Sequence, residues 1–334
     1  MLGLRTEAFL IVAKVHFLCL NYFGHHRPFH THLAERGGGF IRSLQMTIID
    51  QTAWGMVIRV FAKKSDQVEG NAKLALAAAH KAEDLCVGEK PLYKKILILV
   101  PADPNYPDCD CGETAAYLRR FVMRTSRIEV REVSHGDLFC GVLNYGLARL
   151  TRAGCDYMTV LSPGASGYLS VEEMLRAADA FDKGAKVAGV ALDELAESVL
   201  AGRIANTFAT WDTVALATVG GFDLRASQPR RNDPTALYAH GVDADGKDVF
   251  YPQAGVEEIL PLTRLVKLFG KCLAPMRPLA ASTWVVPDPV TDPEGALRHQ
   301  KKLGTKFERQ LFNAAYLGTD FSVLRGGVMD DYRT

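Results

Sequence analysis

Apolar positions along this chain follow two alternating rhythms. Ile96-Leu97-Ile98-Leu99-Val100 is an unbroken apolar run, the mark of a strand covered on both faces of a parallel sheet. Gly55 to Ala62, Ile128 to Val133, Tyr157 to Leu161 and Lys186 to Leu192 have the same strand composition. Between these runs the apolar positions recur at helical spacing. Leu74, Ala78, Ala82 and Leu85 share a face over Asn71 to Leu85, and Ala115, Leu118 and Val122 share one over Glu113 to Met123. Leu143, Leu147 and Leu150 stack over Val142 to Ala153, and Val171, Met174, Leu175, Ala178 and Phe181 form the next stripe. Ser170 with Glu173 three residues on reads as a capping box, and Gly154 and Gly184 close the helices before them. Strands alternating with amphipathic helices predict βαβ units with right-handed crossovers. The expected fold class is therefore α/β: an open, mostly parallel, doubly wound, Rossmann-like sheet.

After Leu192 the rhythm changes. A helix is expected from Asp193 to Ala205, and Asn206 to Ala217 carries Phe208 and Trp211 before the turn Gly220-Gly221-Phe222-Asp223. Ser227 to Gly255 is polar and turn-rich, too long for an ordinary connection, and reads as a functional lid or a mobile insertion. Gly255-Val256-Glu257-Glu258 opens a helix with Ile259, Leu262, Val266 and Phe269 on one face, and Gly270 ends it. A Pro- and Asp-rich passage from Pro287 to Pro293 precedes a helix expected from Glu294 to Leu317. The chain thus divides into a leader (1–50), an α/β domain (51–275) and a helical C-terminal extension packing on it (276–334).

With 334 residues, 48% of them hydrophobic, the chain can bury one large core or two smaller ones. A net charge of +1 argues against a broad nucleic-acid face. The odd number of cysteines, 7, suits reduced thiols. Cys109-Asp110-Cys111 lacks the spacing of common zinc sites. The apolar stretch Ala8 to Leu20 is broken by Lys14 and His16 and is too short for a membrane span. Glu7 and the lack of a small-x-small cleavage site weaken a signal-peptide reading, so the cytoplasm is the expected location. His25, His26, His30 and His32 lie without a carboxylate or cysteine frame, which suits a solvated leader better than a metal site. Met46 is an alternative start.

In an open α/β sheet, ligands bind beyond the carboxyl ends of the strands. Those ends supply Asp103 and Asn105, His135 and Asp137, and the small residues Ser162, Gly164 and Ser166, beside which a ligand can approach backbone closely. The order of segments from Val57 to Gly270 resembles the GT-A glycosyltransferase fold, in particular the large family of inverting enzymes that use nucleotide-diphosphate sugars. Three pieces carry the likeness, over about two-thirds of the chain. They are Asn144-Tyr145-Gly146-Leu147 before the central strand, the turn Gly220-Gly221-Phe222-Asp223, and Glu257-Glu258 with Leu262, Arg264 and Gly270. Where the family carries an Asp-x-Asp-like metal motif, this chain has Leu161-Ser162-Pro163-Gly164-Ala165.

The resemblance implies a nucleotide-diphosphate sugar as donor and an acceptor of unknown kind, a hexosyltransferase type of activity. Glu257 or Glu258 would be the base that takes the acceptor proton; two glutamates at a helix start equally complement its dipole. Asp103, Asn105, His135, Asn144, Ser162, Gly164 and Ser166 would face the donor, and Trp211, Gly220, Gly221 and Asp223 the acceptor. Asp103 also suits a turn, and His135 with Asp137 suits either an acid/base pair or a capped turn before the Val142 helix. The family's usual magnesium or manganese lacks its carboxylate ligands here, so no metal ligand is assigned. Arg225, Arg230 and Arg231 would then form a phosphate clamp, unless they are simply a solvated face. Two rivals remain: a catalytically degenerate GT-A-like binding or scaffold module, and a nucleotidyltransferase, for which Lys63-Lys64-Ser65 supplies charge but no glycines. No Gly-x-Gly-x-x-Gly follows a strand, which disfavours a Rossmann dehydrogenase.

Overall fold

The unbroken apolar runs become the middle of a sheet. The computed structural model describes residues 49, 51–104, 109–123, 126–133, 138–191, 202–227, 238–242, 248–252, 257–278, 289–290, 293, 296–297, 314–315 and 317–332. The chain separates into Met1–Ile41 and Arg42–Thr334; the first unit, with its histidine-rich stretch, lies outside the described residues, as does Met46.

In chain order the elements begin with β1 (Trp54–Arg59), α1 (Ser65–Asp84), a short hairpin of β2 (Cys86–Val87) and β3 (Lys90–Pro91), and β4 (Tyr93–Pro101). Next come α2 (Thr114–Arg119), β5 (Ile128–Val133), α3 (Leu138–Arg152), β6 (Tyr157–Leu161), a 3-10 segment (Pro163–Tyr168), α4 (Val171–Asp182) and β7 (Val187–Ala191). Then follow β8 (Ile204–Asp212), α5 (Thr213–Thr218), a hairpin of β9 (Tyr238–Val242) and β10 (Asp248–Pro252), α6 (Ile259–Phe269), β11 (Leu273–Pro278) and α7 (Val323–Gly327).

Seven strands form the main sheet in the order β11-β7-β8-β6-β1-β4-β5. All neighbours are parallel except β8, which runs antiparallel to both β6 and β7. The expected mostly parallel α/β sheet is thus present. Its alternation is physical: Ile96, Ile98 and Val100 bury against Ala75, Ala79 and Ala82 of α1, whereas Val57, Leu97 and Leu99 bury against Leu143, Leu147 and Leu150 of α3. Burying each such aliphatic side chain stabilises by roughly 1.5–3 kcal/mol, so the sheet centre dominates the fold.

Several expectations shift. Helix α1 begins at Ser65 and turns its alanines inward, leaving Leu74 45% exposed. Val171 and Phe269, expected inside, are also exposed. Ser170 caps α4 by accepting from the Glu173 amide at 3.3 Å, but Glu173 turns its carboxylate to Arg277 rather than back to the cap. The helix expected over 193–205 is overtaken at its end by β8; residues 192–201 are outside the described set. Most of the C-terminal helix expected over 294–317 is likewise outside it. β11 runs across residue 275 and receives the chain's end, where the Met329 amide donates to the Leu273 carbonyl at 3.0 Å.

Helix α3 lies close on β1 because Gly146 has no side chain. A Cβ there would stand 2.6 Å from Val57 Cγ2 and 3.3 Å from Leu99 Cδ1. Gly146→Val is therefore expected to destabilise by roughly 1–3 kcal/mol through overpacking, read as a lower urea midpoint; an unchanged midpoint contradicts this packing.

Candidate functional site

Chain order in the sheet reverses at β1: the crossovers to β4 and β5 go one way, and β6 enters on the other side. In open α/β sheets such a switch point is where a ligand crevice lies beyond the carboxyl ends of the strands; here the segments that follow β1 and β6 would flank it. The wall on the β1 side is built by Asp110. Its carboxylate accepts from the Ala62 amide (2.8 Å), the Gly112 amide (2.8 Å), the Thr114 amide (3.2 Å) and the Thr114 hydroxyl. The Asp110 amide donates to the Pro101 carbonyl and the Cys111 amide to the Ala62 carbonyl, each at 2.8 Å. Buried carboxylates with several donors hold loops firmly, so this one residue ties the exit of β1 to the exit of β4. Asp103 lies in the same loop, 7% exposed.

On the β6 side, the Ser162 amide donates to the Thr207 carbonyl at 2.9 Å. The chain then turns along the α1 face, where the Ser166 carbonyl accepts from Lys81 Nζ at 2.8 Å. Ser162 is half-buried and Gly164 exposed. A divalent metal needs hard oxygen ligands, carboxylates above all, and Ser162, Pro163, Gly164 and Ala165 offer none. Among the described residues no group of three His, Cys, Asp or Glu side chains is arranged to hold a metal ion. This chain's residues after β6 do not fit the family's metal.

The glutamates belong to the same edge of the sheet. Cys272, just beyond α6, takes the Lys186 amide on its carbonyl at the start of β7. Helix α6 therefore ends at the amino edge, and Glu257-Glu258 begin it toward the carboxyl edge. Cys140, in the first turns of α3 on that edge, reports the same proximity. Its thiol pKa is pushed up by burial first, and then by the nearby charges of Glu257, Glu258 and Asp223. Glu258 is buried at 4% exposure and Glu257 half-buried.

The turn between α5 and the hairpin is fastened to both helices. Asn144 donates through Nδ2 to the Phe222 carbonyl and accepts on Oδ1 from the Phe222 amide, each at 2.8 Å. Gly221, with φ +69°, leaves no room for a Cβ, which would meet Asn144 Oδ1 at 2.5 Å. Asp223 takes Arg225 Nε at 3.0 Å and Nη2 at 2.7 Å, and pairs also with Arg264 of α6. Farther along, Ser227 Oγ accepts from the Cys140 amide at 2.9 Å.

Measured against these positions, the expected site residues separate. Asp103, Ser162, Gly164 and the glutamates share the carboxyl edge. Asn144, expected on the donor side, spends both ends of its carboxamide on the turn. Arg225 folds back on Asp223 rather than standing ready for phosphate. Trp211, expected on the acceptor side, is fully buried, edge-on to Phe222 at 5.2 Å, and pairs with Met158 and Val187 near the opposite edge. Asn105, His135, Asp137, Arg230 and Arg231 lie outside the described residues.

Three arginines at this rim escaped the sequence reading. Arg59 ends β1 with its guanidinium 4.5 Å from the Phe61 ring centre and 4.8 Å from that of Phe139. Arg203 immediately precedes β8 and is 8% exposed. Arg277, near the end of β11, stacks on Tyr168 at 4.4 Å and pairs with the buried Glu173 at 3.1 Å. The signal available was a cation at the rim end of an apolar strand. Neither a scan of protein-family models nor a search of curated proteins finds a match to this chain.

Asp223 links this geometry to pH. Arg225, through its side-chain hydrogen bonds, and then Arg264 hold the carboxyl at about 2 against the opposing effect of burial, below its ordinary 3.8. A lowered folded-state pKa gives stability that is complete above the ordinary value and lost as pH falls toward the folded one. The side chain is only 11% exposed, so its share is about 2 kcal/mol. Asp223→Asn is expected to lose roughly that amount at pH 7 and to flatten the acid limb below pH ~4; denaturation curves across pH check it, and an unchanged acid limb contradicts it.

Proposed function

We propose that this chain is a GT-A-like glycosyltransferase that binds a nucleotide-diphosphate sugar in the crevice between the β1 and β6 exits and transfers the sugar to an acceptor. The observation that carries the reading is the strand order, with its switch point at β1 and its single reversed strand, β8, between β6 and β7. That arrangement brings the loops after β1, β4 and β6 and the start of α6 to one edge. Asp103, in the loop after β4, is suited to hydrogen-bond the ribose or base. Glu258 or Glu257 would accept the proton of the attacking hydroxyl. Charge developing on the departing diphosphate would be met by guanidinium groups of the rim, among Arg59, Arg203 and Arg277, rather than by a carboxylate-held metal.

The lack of any carboxylate in Ser162–Ala165 favours a second reading, a GT-A-like module that binds the donor without turning it over. Calorimetry with a panel of uridine-, guanosine- and adenosine-diphosphate sugars, with and without manganese, tests both. Binding of at least one donor in the presence of a chelator is expected, and no binding by any of them ends both readings. Glu257→Gln or Glu258→Gln is expected to lower sugar transfer by about 10²-fold or more while donor affinity stays. A wild-type chain that binds donor but transfers nothing to water or to saccharide acceptors leaves the binding module.

A further inference from the structure

Asn206 sits in β8 beside the Ser162 turn, since the next residue's carbonyl takes the Ser162 amide at 2.9 Å. It is 8% exposed, and neither its Nδ2 nor its Oδ1 has a hydrogen-bond partner. Thr210, four residues farther along β8, is by contrast satisfied by Thr159 at 2.9 Å. Burying a carboxamide without partners is costly, and native proteins rarely do so without a use. Because β8 is reversed, this amide stands at the carboxyl edge, on the far side of β6 from β1 and β4.

We infer that Asn206 is the sugar-reading residue of the crevice, its carboxamide taking a vicinal pair of ring hydroxyls; this rests on the reading of the crevice as a nucleotide-sugar site. The chemistry selects the group. A carboxamide presents one donor and one acceptor side by side. Neighbouring sugar hydroxyls each donate and accept, so they satisfy both ends. A phosphate only accepts and would leave the amide oxygen facing an anion. The position agrees: with the nucleotide half over the exits of β1 and β4, the other end of the molecule extends across β6 to β8.

The test compares Asn206→Leu, a near-isostere without polar atoms, with the wild-type chain by calorimetry, using uridine and guanosine diphosphates and their glucose and mannose conjugates. The variant is expected to bind the sugar conjugate about tenfold or more weakly, with affinity for the bare diphosphate unchanged. Its melting temperature without ligand is expected to equal or exceed that of wild type, because no hydrogen bond has been lost. Equal loss for conjugate and diphosphate overturns the inference, and so does no loss for either, which leaves the amide holding water only. Should the leucine variant not fold, Asn206→Ala, which removes both polar ends without adding charge, carries the same comparison. Saturation-transfer NMR with free glucose and mannose separates the two layers. Asn206-dependent sugar binding without nucleotide binding keeps this assignment and removes the nucleotide-sugar reading; binding of neither removes both.

Discussion

The reversed strand β8 is the constraint on which the arrangement of this sheet depends. Its ladder to β6 runs from Tyr157 opposite Asp212 to Leu161 opposite Phe208, and its ladder to β7 begins with Val187 opposite Trp211. Held on both sides, β8 cannot shift by one residue without exchanging its two faces. Its direction decides which of its ends reaches the carboxyl edge of the sheet. Arg203 and Asn206 arrive there, while Trp211 is carried to the opposite edge and into the core. A polar ladder across the sheet, Tyr93 to Thr159 at 3.2 Å and Thr159 to Thr210 at 2.9 Å, supports this register, since mispairing would strand buried hydroxyls.

From the far end of β8 the chain returns along α3, and the same side chains that fasten the turn also set its course. Asn144 fixes Phe222, Asp223 reaches α6 through Arg264, and Ser227 meets the first turns of α3. These contacts bring the start of α6, with Glu257 and Glu258, back toward the rim that β1, β4 and β6 already define. On the opposite wall Asp110 does comparable work for two loops at once. The rim is thus held by short, buried, hydrogen-bonded devices, which suits a site that must be organised before its ligand arrives.

What could be read from the residues follows from how each segment is buried. β4 was legible because Ile96 to Val100 is apolar on both faces, and the helices because Gly154 and Gly184 stop them at positive φ. β8 was not, because Asn206, Thr207 and Thr210 interrupt its apolar positions, although all three are buried. β11 hid behind Pro275 and Pro278, which an edge strand tolerates and a central one does not. For the site, the small-residue turn at Ser162 and the glutamates were visible as motifs. Asp110 looked like one more acid in a turn-rich loop, and only its donors, up to 48 residues distant in sequence, reveal its task. Asn144 was visible too, but whether an amide serves a ligand or the backbone depends on pairing 78 residues away.

The proposal is spatial: a nucleotide-diphosphate sugar would lie over the switch point, between the exits of β1 and β6. Hydrogen–deuterium exchange of the full chain, with and without the tightest-binding member of a nucleotide-sugar panel, tests it most directly. The account predicts ligand-dependent protection in Val60 to Lys64, in the loop around Asp103 and in Ser162 to Tyr168. Protection confined to the opposite edge, around Thr213 to Thr218 and Gly270 to Cys272, would contradict it.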